Sequence, residues 1–329
     1  MESLLVLSLL VSFLLTLFFI PIWIKKARQI GLVWEDMNKP GHPKNVAGSG
    51  GVGVILGFSL GVLVYIAIKT FYFKTTANLI GSFAILTSIL MIGFIGFMDD
   101  LLGWQKGGLS KKSRIILLIF AAVPLMVVNA GTSTMMGIKF GVLYPLILIP
   151  LGVVGVSTAY NFLAGYNGLE TKQGIIILSA LALVNLKLGH GWLVVISSCM
   201  VASLIAFYFF NKMPAKVFPG DVLTYSIGAL IAGNAILGNI ELITAFFFIP
   251  YIIEVCLKLR GSLKKESFSK PNKDGSLEMP YDKIYGLEHL AIFVLKKVKP
   301  SKKAYEREVV WLIDIFQILV IIIGFLILL

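Results

Sequence analysis

Ser3-Leu4-Leu5-Val6-Leu7-Ser8-Leu9-Leu10-Val11-Ser12-Phe13-Leu14-Leu15-Thr16-Leu17-Phe18-Phe19-Ile20-Pro21-Ile22-Trp23-Ile24 is followed at once by Lys25-Lys26-Ala27-Arg28. No charge interrupts the first stretch, and a bilayer core about 30 Å thick takes roughly 20 apolar residues of helix. No basic segment precedes it and no small-residue cleavage site follows, so it reads as a retained first helix rather than a signal peptide. The basic cluster places its C-terminal end in the cytoplasm.

The same pattern recurs at roughly 48–68, 78–98, 114–129, 142–160, 174–187, 191–210, 222–238, 240–258 and 309–329. The sixth and eighth stretches are short. The chain of 329 residues is 57% hydrophobic and 14% charged, with a mean hydropathy of +0.90. Soluble domains carry about 25% charged residues, so an ordinary soluble enzyme, a disordered chain and a disulfide scaffold are excluded. The expected architecture is an all-α polytopic membrane protein with about ten transmembrane helices. Residues 1–329 form a single integral-membrane domain, within which 258–308 is a large loop. Helices are required because an open sheet cannot satisfy its backbone in lipid.

Strict alternation of ten helices puts the loops 25–47, 99–114, 161–173, 211–221 and 258–308 on one side. They hold 25 of the 29 Lys and Arg residues. That asymmetry makes this side cytoplasmic and both termini external. The net charge of +12 is therefore read as topology rather than as a nucleic-acid surface. Glu35, Asp36, Asp99, Asp100, Glu170 and Asp221 fall on the same side. Glu2, Glu241, Glu254 and Asp314 lie in the N-terminal tail or toward the ends of apolar runs. A bilayer midplane with few ionisable groups argues against an ion-coupled transporter and favours an enzyme working at the cytoplasmic face. Cys199 and Cys256 sit singly in apolar runs, which supports neither a zinc site nor a disulfide framework.

Three polar constellations end at that face. Gly96-Phe97-Met98-Asp99-Asp100 closes the third stretch and leads to Lys111, Lys112 and Arg114. Asn161-Phe162-Leu163-Ala164-Gly165-Tyr166-Asn167-Gly168-Leu169-Glu170 closes the fifth. Phe218-Pro219-Gly220-Asp221 opens the eighth, with Asp221 where an N-cap would stand. Each has a bland reading as a solvated helix end, a polar turn or a cap. Together they are oxygen-rich and lack a Cys/His cluster, which suits a hard hydrated cation such as Mg2+ bound with substrate phosphates. The basic loops add an electrostatic funnel for anions. The residues alone thus sketch a membrane enzyme acting on a diphosphate with a lipid-borne co-substrate.

In this order and at these helix ends, the motifs resemble the polyprenyl-phosphate N-acetylhexosamine-1-phosphate transferase superfamily. They are most similar to its dolichyl-phosphate N-acetylglucosamine-1-phosphotransferase branch. The stretch Asp274-Gly275-Ser276-Leu277-Glu278-Met279-Pro280-Tyr281-Asp282-Lys283 resembles the eukaryotic and archaeal enzymes, and the histidine-rich motif of bacterial branches is missing. The resemblance implies transfer of a sugar 1-phosphate from a UDP-sugar, UDP-GlcNAc, to dolichyl or another polyprenyl phosphate, with release of UMP. It implies Mg2+, with Mn2+ as the alternative, on Asn161 and Asp221. It implies a catalytic set of Asp99, Asp100 and Asp221, with the role of the paired aspartates open between base and positioning. Asn167 matches the uracil contact, Phe218 lies where the base packs, and Glu170 joins the substrate-binding set. A phosphate-gripping basic residue is expected among Lys111, Lys112 and Arg114. Lys264-Lys265 is the nearest match to arginines that hold the sugar nucleotide. Lys44 stands where the branch carries an acid. A homodimer is plausible by resemblance alone.

Another UDP-N-acetylhexosamine or undecaprenyl phosphate would keep the chemistry. A transporter of anionic solutes or lipid-linked sugars needs polar groups at mid-depth, and a scaffold would tolerate loss of Asp221. Trp23, Trp34 and Trp311 read as interfacial anchors. Residues 284–298 read as an amphipathic helix on the membrane or over the site.

Overall fold

The computed structural model describes residues 3–129, 134–135 and 137–329. Glu2 and the side chain of Lys106 lie outside the described residues. Thirteen α-helices dominate the described residues. They are α1 (Val6–Ile30), α2 (Gly51–Ala67), α3 (Leu79–Lys106), α4 (Lys111–Ala121), α5 (Val123–Val128), α6 (Ile149–Phe162) and α7 (Leu169–Lys187). Then follow α8 (Gly191–Asn211), α9 (Asp221–Gly238), α10 (Glu241–Phe247), α11 (Ile249–Arg260), α12 (Leu287–Val298) and α13 (Glu306–Leu328). Strands are short and confined to loops. β1 (Val33–Glu35) pairs antiparallel with β2 (Lys44–Ala47), and β3 (Thr134–Met135) with β4 (Ile138–Lys139). β5 (Lys270–Pro271), β6 (Ser276–Glu278) and β7 (Ala304–Tyr305) form a sheet in that order.

Among the described residues, eight helices are long and apolar enough to cross a membrane, and the count is nine if the bent pair α10–α11 is one span. This is a multi-pass membrane protein. The bend of 62° falls at Phe248, where Pro250 follows. Proline has no N–H to donate and its ring clashes with the preceding turn. The expected fourth span, 114–129, is built as the two short helices α4 and α5, broken at Ala122.

The short eighth stretch is the hub. Its helix α9 is almost wholly buried, packed by α3 and α6 with α2 and α7 alongside. A helix walled in by protein can carry Thr224, Ser226 and Asn234 without meeting lipid. Asn234 accepts from Ser197 at 2.9 Å and from Asn185 at 3.1 Å, so its polarity is matched by α7 and α8. On the flank, α1 and α2 approach closely through small residues. A Cβ on Gly57 or Gly61 would lie 2.1 Å from Thr16 Oγ1 or 1.8 Å from Ser12 Oγ. Such small-residue seams are how membrane helices gain packing where lipid offers no hydrophobic drive. At the other flank Lys172 of α7 pairs with Asp314 of α13, and Gln173 donates to the same carboxylate at 2.9 Å.

Candidate active site

Because α3 runs on to Lys106, Asp99 and Asp100 sit within it rather than closing it, as the sequence led one to expect. It meets the start of α9 because Gly96 lets the two backbones touch. A Cβ there would lie 2.6 Å from the carbonyl of Asp221. This contact sets Asp100 over the first turn of α9. Asp100 Oδ1 accepts the Asp221 N–H at 2.8 Å, and its Oδ2 lies 3.5 Å from the Val222 nitrogen. The expectation that Asp221 is the N-cap is corrected by the structure. The N-cap is Gly220, with no side chain to offer and a left-handed φ of 73°, and Asp221 is the first helical residue. Asp100 supplies the missing cap from another helix, satisfying donors that a helix start leaves open. The Asp221 carboxylate is thereby spared from capping. Asp100, Asp99 and Arg114 are the charged groups that face it.

Asp99 is buried one residue away. Its Oδ1 accepts the Leu109 N–H at 2.7 Å, and its Oδ2 meets Arg114 Nη2 at 2.6 Å. The Arg114 guanidinium lies 5.8 Å from the centre of the Tyr225 ring on α9. Arg114 reaches this place because Ser110 caps α4, accepting from Ser113 N–H at 3.1 Å, and Arg114 falls in the first turn that follows. Among the three expected phosphate-gripping residues, Arg114 is the one brought to the aspartates. Lys111 and Lys112 are exposed, and none of the three basic residues, nor Asp99, lines the cavity described next.

A cavity of about 610 Å3 opens at these helix ends, within the range of small-molecule sites. Asp100, Asp221, Asn161, Glu170 and Phe218 line it. Asn161 Oδ1 accepts from Thr224 Oγ1 at 2.8 Å, and its Nδ2 lies 3.3 Å from Tyr225 Oη, so its amide is held against α9. Glu170 Oε1 accepts the Gly165 N–H at 2.7 Å and fixes the turn after α6, while Oε2 has no partner. The wall also holds residues the sequence reading did not place there: Trp34, Lys44, Ser49, Trp104, Glu266 and Phe268. Trp34 read as a membrane anchor because a Trp near a helix end has the same signature in either role. The β1–β2 hairpin, which folds it over the cavity, depends on pairing that no local pattern announces.

Asn167 is buried and does not line the cavity. Its N–H donates to Glu306 Oε1 at 2.8 Å and its Nδ2 to Asp36 Oδ2 at 3.0 Å, while its own Oδ1 has no partner. Lys39 pairs with Glu306 and lies 3.9 Å from Asp36. Burial lowers the Lys39 pKa from its usual value, against the opposing pull of Asp36. Asn38 adds a second stitch. It donates to the Gly165 carbonyl at 2.8 Å and accepts from Ser269 N–H and Oγ at 3.0 and 2.7 Å. The first loop thus ties the Asn161–Glu170 turn to the segment before α12 and to the start of α13. Lys264 is exposed. Lys265 Nζ stands 4.6 Å from the Tyr281 ring centre and 5.8 Å from that of Tyr285, and neither lysine lines the cavity. Asp274 belongs to a turn, accepting from Ser276 Oγ at 2.6 Å and from Lys303 at 2.6 Å.

Among the described residues no three His, Cys, Asp or Glu side chains form a closed metal cage. The donors at hand are the carboxylates of Asp221 and Asp100 and the amide oxygen of Asn161, which keeps a lone pair beyond its bond to Thr224. That set fits an open site for a hard cation completed by phosphate and water, and it does not fit a structural zinc.

A family model described as glycosyl transferase family 4 matches residues 82–239, which include all three motifs. The chain is 36% identical over 296 residues to a Saccharolobus solfataricus protein named "Putative UDP-N-acetylglucosamine--dolichyl-phosphate N-acetylglucosaminephosphotransferase", covering 87% of each chain. It is 29% identical over 282 residues to the Dictyostelium discoideum UDP-N-acetylglucosamine–dolichyl-phosphate N-acetylglucosaminephosphotransferase, over 73% of this chain and 68% of that one. It is 28% identical over 271 residues to a Halalkalibacterium halodurans phospho-N-acetylmuramoyl-pentapeptide-transferase, over 77% and 81%.

Proposed function

The chain belongs to glycosyl transferase family 4, and from that premise we propose that it transfers N-acetylglucosamine 1-phosphate from UDP-GlcNAc to dolichyl phosphate. UMP leaves and a GlcNAc-diphospho-lipid forms, the first step of lipid-linked oligosaccharide assembly. The observation that carries this reading is the convergence of Asp100, Asp221 and Asn161 on one cavity at helix ends, with the Asp99–Arg114 pair behind them. Relatives with this activity in their names cover most of the chain.

Further parts of the reading are ours. The site faces the cytoplasm, α4 and α5 complete a tenth crossing, and the whole chain works as one domain. Asp221 and Asn161 would hold Mg2+, or Mn2+, together with the substrate diphosphate. The ion, when bound, neutralises the diphosphate and improves UMP as a leaving group. Asp100 orients the first turn of α9, whose N–H groups and dipole favour negative charge nearby. Arg114, held by Asp99, presents a guanidinium toward the transferring phosphoryl group. The lipid phosphate is anionic near neutral pH, so positioning and charge neutralisation can carry much of the acceleration without a strong base. Phe218, Trp34 and Trp104 give the uracil and the first lipid segment apolar walls. Asn167 shapes the turn from behind rather than reaching into the cavity.

The test uses purified protein in detergent with radiolabelled UDP-GlcNAc, dolichyl phosphate and Mg2+. Label is expected in a butanol-extractable lipid, with UMP released and EDTA abolishing both. Product with another UDP-sugar alone would keep the reaction class and move the donor. No product with any donor or polyprenyl phosphate would defeat the reading.

A further inference from the structure

Behind the cavity wall, α11, α12 and the segment between them enclose a charge cluster that the transfer reaction does not use. Glu254 and Glu288 are fully buried and Lys258 is nearly so. The two carboxylates converge on Gly286. A Cβ there would lie 2.7 Å from Glu288 Oε2 and 3.2 Å from Glu254 Oε1. Glu254 Oε2 accepts the Leu287 N–H at 2.6 Å, and its Oε1 lies 3.5 Å from Lys258 Nζ. Neither oxygen of Glu288 has a hydrogen-bond partner.

Two carboxylates against one ammonium is a poor way to stabilise a core. Apolar side chains of similar volume usually do as well or better. The cluster has one outward connection. Lys258 Nζ donates to Ser267 Oγ at 2.5 Å, and Ser267 Oγ in turn lies 3.3 Å from the Phe162 carbonyl. Both neighbours of Ser267, Glu266 and Phe268, line the cavity, and Phe162 follows Asn161. Phe268 also packs against the turn after α6. A Cβ on Gly165 would lie 2.8 Å from its ring. His289 Nε2 stands 3.5 Å from the Phe268 carbonyl. A string Glu254–Lys258–Ser267–Phe162 therefore joins α11, the 262–269 segment and the Asn161 end of α6.

We infer that Lys258, held by Glu254, is a positioning residue that latches the Glu266–Phe268 wall to the end of α6 and so sets the affinity for the sugar nucleotide without touching it. This rests on the transferase reading. The nucleotide is the substrate concerned because residues 262–269 lie outside the candidate membrane spans of the described residues, where a water-soluble donor can reach them. Glu254 balances Lys258, which makes Glu288 the member that carries a proton. Burial first, and Glu254 next, push its pKa well above the usual carboxylate range.

The experiment compares Ser267→Ala, Lys258→Met/Glu254→Gln and Glu288→Gln with the wild type, all purified in detergent. Steady-state kinetics are run with UDP-GlcNAc and dolichyl phosphate varied in turn. Ser267→Ala is expected to raise KM for UDP-GlcNAc about threefold to tenfold, with kcat and KM for dolichyl phosphate within about twofold. The double variant removes the charge imbalance that Lys258→Met alone would leave, so it folds, yet its KM for UDP-GlcNAc stays raised. Glu288→Gln keeps the wild-type KM. Hydrogen–deuterium exchange without substrate should show faster exchange at 262–269 in the first two variants only. That arm reads the latch even if the wild type is inactive with every donor, a result that would defeat the transferase reading instead. Wild-type exchange and wild-type KM in Ser267→Ala overturn the latch, as does an equal loss for both substrates.

Discussion

Gly96→Ala tests whether the approach of α3 to α9 builds the site. The added Cβ would lie 2.6 Å from the Asp221 carbonyl and 2.7 Å from the Val222 nitrogen, both backbone atoms that cannot rotate away. Ordinary contact begins at 3.4 Å, so the helices must part by about 0.8 Å. Such a shift stretches the Asp100–Asp221 bond from 2.8 Å to about 3.6 Å, beyond hydrogen-bond range. The first turn of α9 loses its cap while Asp221 moves away from Asp99 and Asp100. Overpacking of this kind costs about 1–3 kcal/mol. A displacement near 1 Å of a catalytic group lowers rate about 100-fold. The assay is lipid-linked product formation at saturating UDP-GlcNAc and dolichyl phosphate, beside thermal unfolding in the same detergent. Gly155→Ala is the control, because a Cβ at Gly155 meets nothing within 4 Å. It should leave turnover unchanged and add up to about 1 kcal/mol through helix propensity. Wild-type turnover in folded Gly96→Ala would refute the claim that this backbone contact positions the aspartates.

Asp221→Ala and Asn161→Ala should each reduce turnover at least about 100-fold and shift the Mg2+ concentration for half-maximal activity upward, with unfolding temperature little changed, as read by a metal titration. Asp99→Asn should break the pair with Arg114 and cost about 1–3 kcal/mol, less than a fully buried pair because 29% of the Arg114 side chain stays in solvent. Turnover should fall with it, and retained turnover with normal stability would remove Asp99 from the site. Glu288 binds its proton more tightly folded than unfolded, where its value is 4.5. Its stabilising contribution is complete below that value and is lost as pH rises through the folded value. Unfolding temperature should therefore fall less steeply with rising pH in Glu288→Gln than in the wild type, and parallel curves would refute the assignment.

The membrane class was legible because a run such as 3–24 needs no tertiary partner to be apolar. The three motifs were legible because amides, carboxylates and glycines at helix ends are unusual beside lipid. Arg114 could not be separated from Lys111 and Lys112 by sequence. Three basic residues within four positions differ only in which one the first turn of α4 aims at Asp99. Asn167 looked as accessible as Asn161. Its burial follows from Asp36 and Glu306, which lie 131 and 139 residues away. The Glu254–Lys258–Glu288 cluster was invisible for the same reason. Glu254 and Lys258 stand one turn apart on α11, but Glu288 arrives on α12.

Length, hydropathy and charge asymmetry alone determined that this chain is a helical membrane protein whose polar motifs border its apolar runs, since burial in lipid acts on each segment separately. Which side chains face the cavity, which only hold its walls and which helix caps another were decided by tertiary structure. Those roles depend on distances between residues far apart in the chain, such as the 2.8 Å from Asp100 to Asp221, and no local pattern encodes such distances.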